Sequence, residues 1–314
     1  MRFLSMSATA IAIIALVSCG PRYERLAGYA QGGTYSVTYN SAGADLSRGD
    51  LQAGVDSLLY TVDTTFSGYN SKSQLSRYNR GELDNPSPLF DSVFRLAREF
   101  CHLTSGVVNA GAAPLFDIWG FGFENDSLPS AEKVQQALSE CNDWHILNYN
   151  SFAQGLSCDL VAEYLRSHGV TDMLVDIGEI YCSGRNPKGK GWTVGVDNPR
   201  DGNDSPGAEI RAVWNSDGAS CGIVTSGNYR KYYIVDGVKY AHTIDPRTGY
   251  PVTHNLQSAT IVAPTSALAD ALATYCMVVG FDAAREFIQS RSDIQGYLIS
   301  ETGTWASDGF TFLQ

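Results

Sequence analysis

Between Thr225 and Val252 the chain reads TSGNYRKYYIVDGVKYAHTIDPRTGYPV, which leaves little freedom of local structure. Two β-rich runs, YRKYYIV and VKYAHTI, flank the pair Asp236-Gly237. An Asp-Gly pair accepts the left-handed backbone of a tight hairpin turn, so the unit reads as strand, turn, strand. Directly behind it stand His242, Asp245, Arg247 and Thr248, crowded around Pro246 and Gly249. An imidazole, a carboxylate, a guanidinium and a hydroxyl on one rigid turn suit phosphate chemistry. They also suit a polar loop that only closes a hairpin.

A second segment, APTSALADALATYCMVVG (263–280), has helical spacing. Leu268, Leu272, Tyr275 and Val279 define an apolar stripe, while Asp270 and Thr274 share another face one turn apart. Hard cations such as Mg²⁺ take oxygen ligands and keep positions open for substrate phosphates, and an Asp with a Thr meets that need. Taken alone, the pair reads more readily as a solvated helix face than as a metal site. NYNSFAQGLSCD (148–159) leads from small residues into a helix, a place where free N–H groups can meet an anion and loop carbonyls a metal. Tyr69, in SGYNS, can stack on a planar ring or simply cover a loop. His242 is the one histidine of five in a dense polar cluster, placed to act as a general base near neutral pH. His102, His145, His168 and His254 read as surface or structural residues.

Elsewhere the spacing predicts a strand at 32–40 and helices over 46–66, 88–104, 126–137 and 157–168. Further strands are expected at 173–178, 192–196, 210–213 and 260–262, with a polar loop at 66–79. The small-residue run at 107–122 suits a backbone approaching a flat ligand. Strands and helices interleave without a regular βαβ period. The fold class is therefore α+β, with mixed, mainly antiparallel sheets, packed helices and one large domain.

The first residues direct the chain outward. Arg2 precedes an apolar run, Ala8 to Val17, too short to span a bilayer stably. The run ends in Leu-Val-Ser-Cys, similar to a bacterial lipobox, so residues 1–18 are expected to be a leader and Cys19 the lipidated first residue. Residues 19–30 read as a tether and 31–314 as the domain. The expected location is a bacterial inner or outer membrane, facing the periplasm. Removing a leader that holds Arg2 and no carboxylate takes the net charge from −11 to −12, which argues against nucleic-acid binding. Any anionic ligand must then be held locally. The remaining cysteines (101, 141, 158, 182, 221 and 276) form no C-x-x-C pair and read as small buried residues.

Taken together, the segments resemble the ApbE family of FAD:protein FMN transferases. The likeness runs from about Gly32 to Gly280, with its pieces in the family's order. These are FSGYNSKSQLSRYN, NAGAAPLFDIWGFG, SFAQG with Asp159 beyond it, MLVDIGEIYCSG, TSGNYRKYY, HTIDPRTGYP and ADALAT. The resemblance implies an ApbE or T-fold-like domain that binds FAD and Mg²⁺, splits the FAD pyrophosphate and releases AMP. The FMN half would pass to a Thr or Ser hydroxyl on an exported acceptor protein of an electron-transfer system. It further implies Asp270, Thr274 and the Ser151 carbonyl as Mg²⁺ ligands. Tyr69, Val108, Asn109, Ala110, Gln154 and Thr243 would contact FAD, and His242 and Asp245 would be the catalytic pair. Several positions depart from the pattern. Gln154 replaces a common Lys, Asn148 an Asp and Leu156 a Tyr, Gly178 stands alone where two glycines are usual, and Ala267 cannot ligate. Two other readings of the same site stay open at this level, an FAD pyrophosphatase and a non-catalytic FAD-binding lipoprotein.

Overall fold

The computed structural model describes residues 21–120, 128–200, 203, 205, 207–228, 232–235 and 238–312. The leader, Cys19, the end of the 107–122 run and the Asp236-Gly237 turn lie outside the described residues.

The chain begins with a hairpin. Strand β1 (Tyr23–Ala30) pairs with β2 (Gly33–Asn40) across Gln31 and Gly32. Both turn residues have positive φ, 53° and 79°, the pattern that matches the twist of the flanking strands. The expected tether therefore ends before Tyr23. YERLAGYA buries Leu26 and is an edge strand; its signal was hidden because Gln-Gly is not a customary hairpin pair.

Helices α1 (Arg48–Phe66), α2 (Gln74–Asn79), α3 (Pro88–Leu103), α4 (Ala113–Ile118), α5 (Ala131–Glu140) and α6 (Ala153–Ser167) follow. Short α2 occupies part of the expected 66–79 loop because Ser73 caps it, its hydroxyl accepting the Ser76 N–H. Helix α6 starts four residues before the spacing suggested. Strands β3 (Met173–Asp176), β4 (Ile180–Ser183), β5 (Thr193–Asp197), β6 (Ile210–Asn215) and β7 (Cys221–Gly227) come next. The expected hairpin is present as β8 (Tyr232–Val235) and β9 (Val238–Ala241), paired in antiparallel register. A smaller one, β10 (Ile244–Asp245) with β11 (Tyr250–Pro251), follows directly. The chain closes with β12 (Leu256–Ala263), α7 (Ser266–Val279), α8 (Phe281–Gln289), β13 (Gln295–Ser300) and β14 (Gly303–Ala306).

One eight-stranded sheet, ordered β1-β2-β3-β4-β7-β12-β13-β14, organises the fold, and all its neighbours are antiparallel. One face packs on helices: Leu26, Val37 and Val175 meet α1 and α6, while Ile261 and Leu298 meet α7 and α8. The other face meets the β5–β6 hairpin through Trp192, Trp214, Ile223 and Val262. Burial on both faces removes the polar/apolar alternation of a half-buried strand, which is why β4, β7 and β13 gave no clear sequence signal. The α+β, mainly antiparallel architecture is as expected.

Helix α7 is fixed with unusual care. The Asp159 carboxylate on α6 accepts the N–H groups of Ser266 at 2.7 Å and Ala267 at 2.8 Å, and Thr265 caps Leu268. Most of the unpaired donors of this helix start are thereby satisfied, at about 1 to 3 kcal/mol for each charged bond. The helix also sits very close to its neighbours. A Cβ on Gly155 would lie 2.3 Å from the Ser266 carbonyl oxygen, and one on Gly222 would lie 2.3 Å from the Ser266 Cα. Only glycine permits that approach from α6 on one side and β7 on the other.

Candidate active site

A cavity of about 850 Å³ opens at one end of the sheet. Its wall takes Gln31 and Gly32 from the first hairpin, Glu179 before β4, and Ser226 and Gly227 at the end of β7. The end of α1 and its following loop supply Asp63, Phe66 and Tyr69; α7 supplies Asp270, Thr274 and Met277. The volume suits a dinucleotide-sized ligand.

Of the residues singled out in the sequence, Tyr69, Val108, Asn109, Ser151, Gln154, His242, Thr243, Asp270 and Thr274 all line this one cavity. They come from five separate segments and converge only through the fold. Ala110 does not line it. Its side chain is buried among Phe100, Trp144 and Phe152, and its carbonyl accepts the Asn148 N–H at 2.9 Å. Asp245 does not line it either. Arg247 holds both its oxygens, with Nε at 2.9 Å and Nη2 at 2.8 Å, and the Arg247 N–H adds a third bond. The structure thus shows Asp245 fixing the turn behind His242. Pro246, between them, lines the wall instead.

The hairpin loop is held from both sides. The Thr243 hydroxyl donates to Asn228 Oδ1 at 2.5 Å, and the Val252 N–H donates to the Thr243 carbonyl at 3.0 Å. Trp119 Nε1 donates to the Gly249 carbonyl at 2.8 Å, tying the 107–120 segment to the same loop. Tyr69 is 74% exposed at the rim, where a planar ring could cover it, and its hydroxyl accepts from Asn150 Nδ2 at 3.4 Å.

The α6 start offers less to an anion than its sequence suggested. The Gly155 N–H donates to Asp270 Oδ2 at 3.1 Å and the Ala153 N–H to the Tyr149 carbonyl at 2.9 Å, so both donors are taken. Gly178 has φ of 94°, whereas Glu179 keeps an ordinary negative φ. The turn thus needs positive φ at Gly178 alone, and Glu179 behind it puts a carboxylate on the cavity wall. Gln154, on the other side of that turn, donates to the Ile177 carbonyl at 3.4 Å.

Charge in this cavity is one-sided. Asp63, Glu179 and Asp270 line it, and no Lys or Arg does among the described residues. Asp270 is 5% exposed, and burial lifts its pKa to about 8, aided by the charge of Asp159 and opposed by the Gly155 N–H. Burial, then the charges of Asp270 and Asp176, holds the Glu179 carboxyl well above the ordinary carboxylate range. A buried carboxylate with a neighbouring hydroxyl and no cationic side chain is short of positive charge, which a divalent cation supplies. The oxygen-only set of Asp270, Thr274 and Ser151 fits a hard cation. No cluster of three or more His, Cys, Asp or Glu side chains that could hold a metal occurs among the described residues. Sequence reading missed two functional candidates. Asp159, quoted in the sequence only as part of a motif, lies on α6 one turn before Glu163 and reaches the α7 start that Thr265 also caps; the sequence marks Glu179 only by the single glycine before it.

The profile of the ApbE family matches residues 31–298. The chain is 30% identical to the FAD:protein FMN transferase of Haemophilus influenzae over 304 residues, covering 88% of this chain and 86% of that one. It is likewise 30% identical to the enzyme of the same name from Escherichia coli K12, covering 85% and 83%. Among solved structures, the flavin transferase ApbE of Vibrio cholerae superposes with a TM-score of 0.80 at 28% identity, over 94% of this chain and all of that one. The apo form of the Pseudomonas stutzeri flavinyl transferase ApbE gives 0.81 at 27%, over 92% and 96%. An antiparallel sheet ending in an acid-lined cavity of this make-up places the chain in the flavin-transferase class of α+β enzymes. The chain belongs to the ApbE family.

Proposed function

We propose that the protein moves FMN from FAD to a Thr or Ser hydroxyl of an exported acceptor protein, releasing AMP, with Mg²⁺ held by Asp270, Thr274 and the Ser151 carbonyl. The observation that carries this reading is the cavity wall itself. A diphosphate ester brought among three carboxylates, with no Lys or Arg from the described residues, needs a bound cation. When bound, that cation neutralises charge on the diphosphate and favours departure of AMP.

The chain's own groups do the rest. Tyr69, Val108 and Asn109 offer an aromatic face and close backbone to the flavin, and Gln154 and Thr243 offer polar contacts. His242 lines the cavity on a loop braced by Thr243 and the Asp245–Arg247 pair. It accepts the proton of the acceptor hydroxyl as that oxygen bonds to the FMN phosphorus. The bond from that phosphorus to the bridging oxygen breaks, and AMP leaves with the oxygen. With Asp245 engaged by Arg247, His242 is the better base of the two.

We further propose that the chain is exported and anchored through a lipid on Cys19, on the strength of the leader and the Leu-Val-Ser-Cys sequence. The deciding experiment incubates the protein with FAD, Mg²⁺ and a Thr-containing acceptor protein and reads acceptor peptides by mass spectrometry. The expected result is an FMN-sized addition on one hydroxyl, lost in His242→Ala while FAD still binds. Near-normal transfer by that variant would remove His242 from the mechanism. Free FMN with an unmodified acceptor would instead establish hydrolysis, and unchanged FAD a binding protein.

A further inference from the structure

Cys182 on β4 and Cys221 on β7 are direct partners in antiparallel register, with their sulfurs 3.9 Å apart. The register is pinned on both sides of the pair. Tyr181 opposes Gly222, and just beyond the cysteines the Ser183 and Ser220 hydroxyls hydrogen-bond at 2.8 Å. A one-residue slip would turn either side chain to the opposite face, so the juxtaposition belongs to the fold. Directly opposed residues in such a ladder stand about 4.5 or 5.5 Å apart at Cα, inside the range of about 4.4 to 6.8 Å that a disulfide spans. Closing the remaining gap requires side-chain rotation and leaves the strands in place. Other sulfurs are placed differently: Cys141 donates to the Ala137 carbonyl and Cys158 to that of Glu179.

We propose that Cys182 and Cys221 are a disulfide site, oxidised by exchange with a small-molecule disulfide or a disulfide carrier as the chain folds. The Cys221 thiolate attacks one sulfur of the carrier disulfide, forming a mixed disulfide and expelling one thiolate. Cys182 then gives up its proton and attacks the Cys221 sulfur, and the second carrier thiolate leaves. Two electrons and two protons pass from the pair to the carrier, which ends as two thiols. Both residues are buried beside Trp192, Trp214 and Ile223, so oxidation precedes closure of that cluster, and the finished bond is shielded from reductant. The bond would staple β4 to β7, which carry Glu179 and Ser226 to the cavity, and would enclose the β5–β6 hairpin between its ends.

The test refolds the reduced, denatured full chain in a buffer of oxidised and reduced glutathione. Alkylation under denaturing conditions and a digest without reductant follow. The expected result is a cross-linked peptide pair joining residues 182 and 221, with two fewer alkylated thiols than in the reduced control. The oxidised protein should melt roughly 5 to 10 °C higher than the reduced one, as closing a loop of this size implies. Cys221→Ser should abolish both the linked pair and the shift. Alkylation of both Cys182 and Cys221 in protein that has regained its native circular dichroism would overturn the proposal.

Discussion

At the scale of single residues, the site is defined as much by Glu179 as by the groups named from sequence. Its carboxyl lies on the wall of a cavity proposed to take a diphosphate, facing Asp270 and Asp176. Because its pKa is raised, the group is neutral at low pH and gains its charge only as pH climbs. Glu179→Gln should therefore tighten FAD binding, by about tenfold where the carboxylate is charged, since one like charge costs roughly 1.4 kcal/mol, and by less as pH falls. Flavin fluorescence titrations at pH 6 and pH 9 check this; equal gains at both would show that charge is not the cause. Gln154 is the complementary case, a position where a cation is common in the family and this chain has none. His242 and Thr243 were readable from sequence because several polar residues fell within a few positions of a strong turn signal. That Ala110 and Asp245 lie off the cavity wall was not legible, because spacing reveals proximity along the chain and says nothing of the direction of a side chain.

At the scale of elements, the critical piece is α7, clamped by Asp159, Gly155 and Gly222. Asp159 titrates at about 6 in the folded protein, against 3.8 for an unperturbed Asp, mainly because burial disfavours its charge. The folded state thus holds this proton more tightly than the unfolded chain does. The stability it lends is complete below pH 4 and is lost as pH rises through 6. Asp159→Asn removes that penalty but also one of the two capping bonds. It should therefore be more destabilising at pH 4.5 than at pH 7.5, by about 2 kcal/mol between the two. Urea titrations of wild type and variant at both pH values measure the difference, and a pH-independent cost would mean that Asp159 is ionised throughout. The helices and the β8–β9 hairpin were legible because periodicity and turn chemistry are local. The order of the sheet was not. Strands β4, β7 and β13 are largely buried and each has a neighbour distant in sequence, β4 with β7 and β7 and β13 with β12, so local spacing does not reveal their places in the sheet. The meeting of α6 with α7 was equally silent, although its glycines were plain to see.

At the scale of the whole molecule, the first strand acquires a meaning beyond closing the edge of the sheet. It begins at Tyr23, only a few residues after the proposed lipid on Cys19, and its far end delivers Gln31 and Gly32 to the cavity. With about 3.3 Å per residue, its eight residues act as a ruler of roughly 26 Å between anchor and active site. With the proposed lipid in place, a leash this short, about 10 Å of free chain at full extension, would leave the enzyme little room to wander from a bilayer. Inserting twenty Gly/Ser residues after Arg22 should leave turnover of a soluble acceptor unchanged. The same insertion should alter turnover of a membrane-embedded acceptor in vesicles, because the height at which the two sites meet is no longer set. Equal effects on both acceptors would dismiss the ruler. On this view it is the acceptor, by the length of its own tether, that has to climb to a fixed altitude above the membrane.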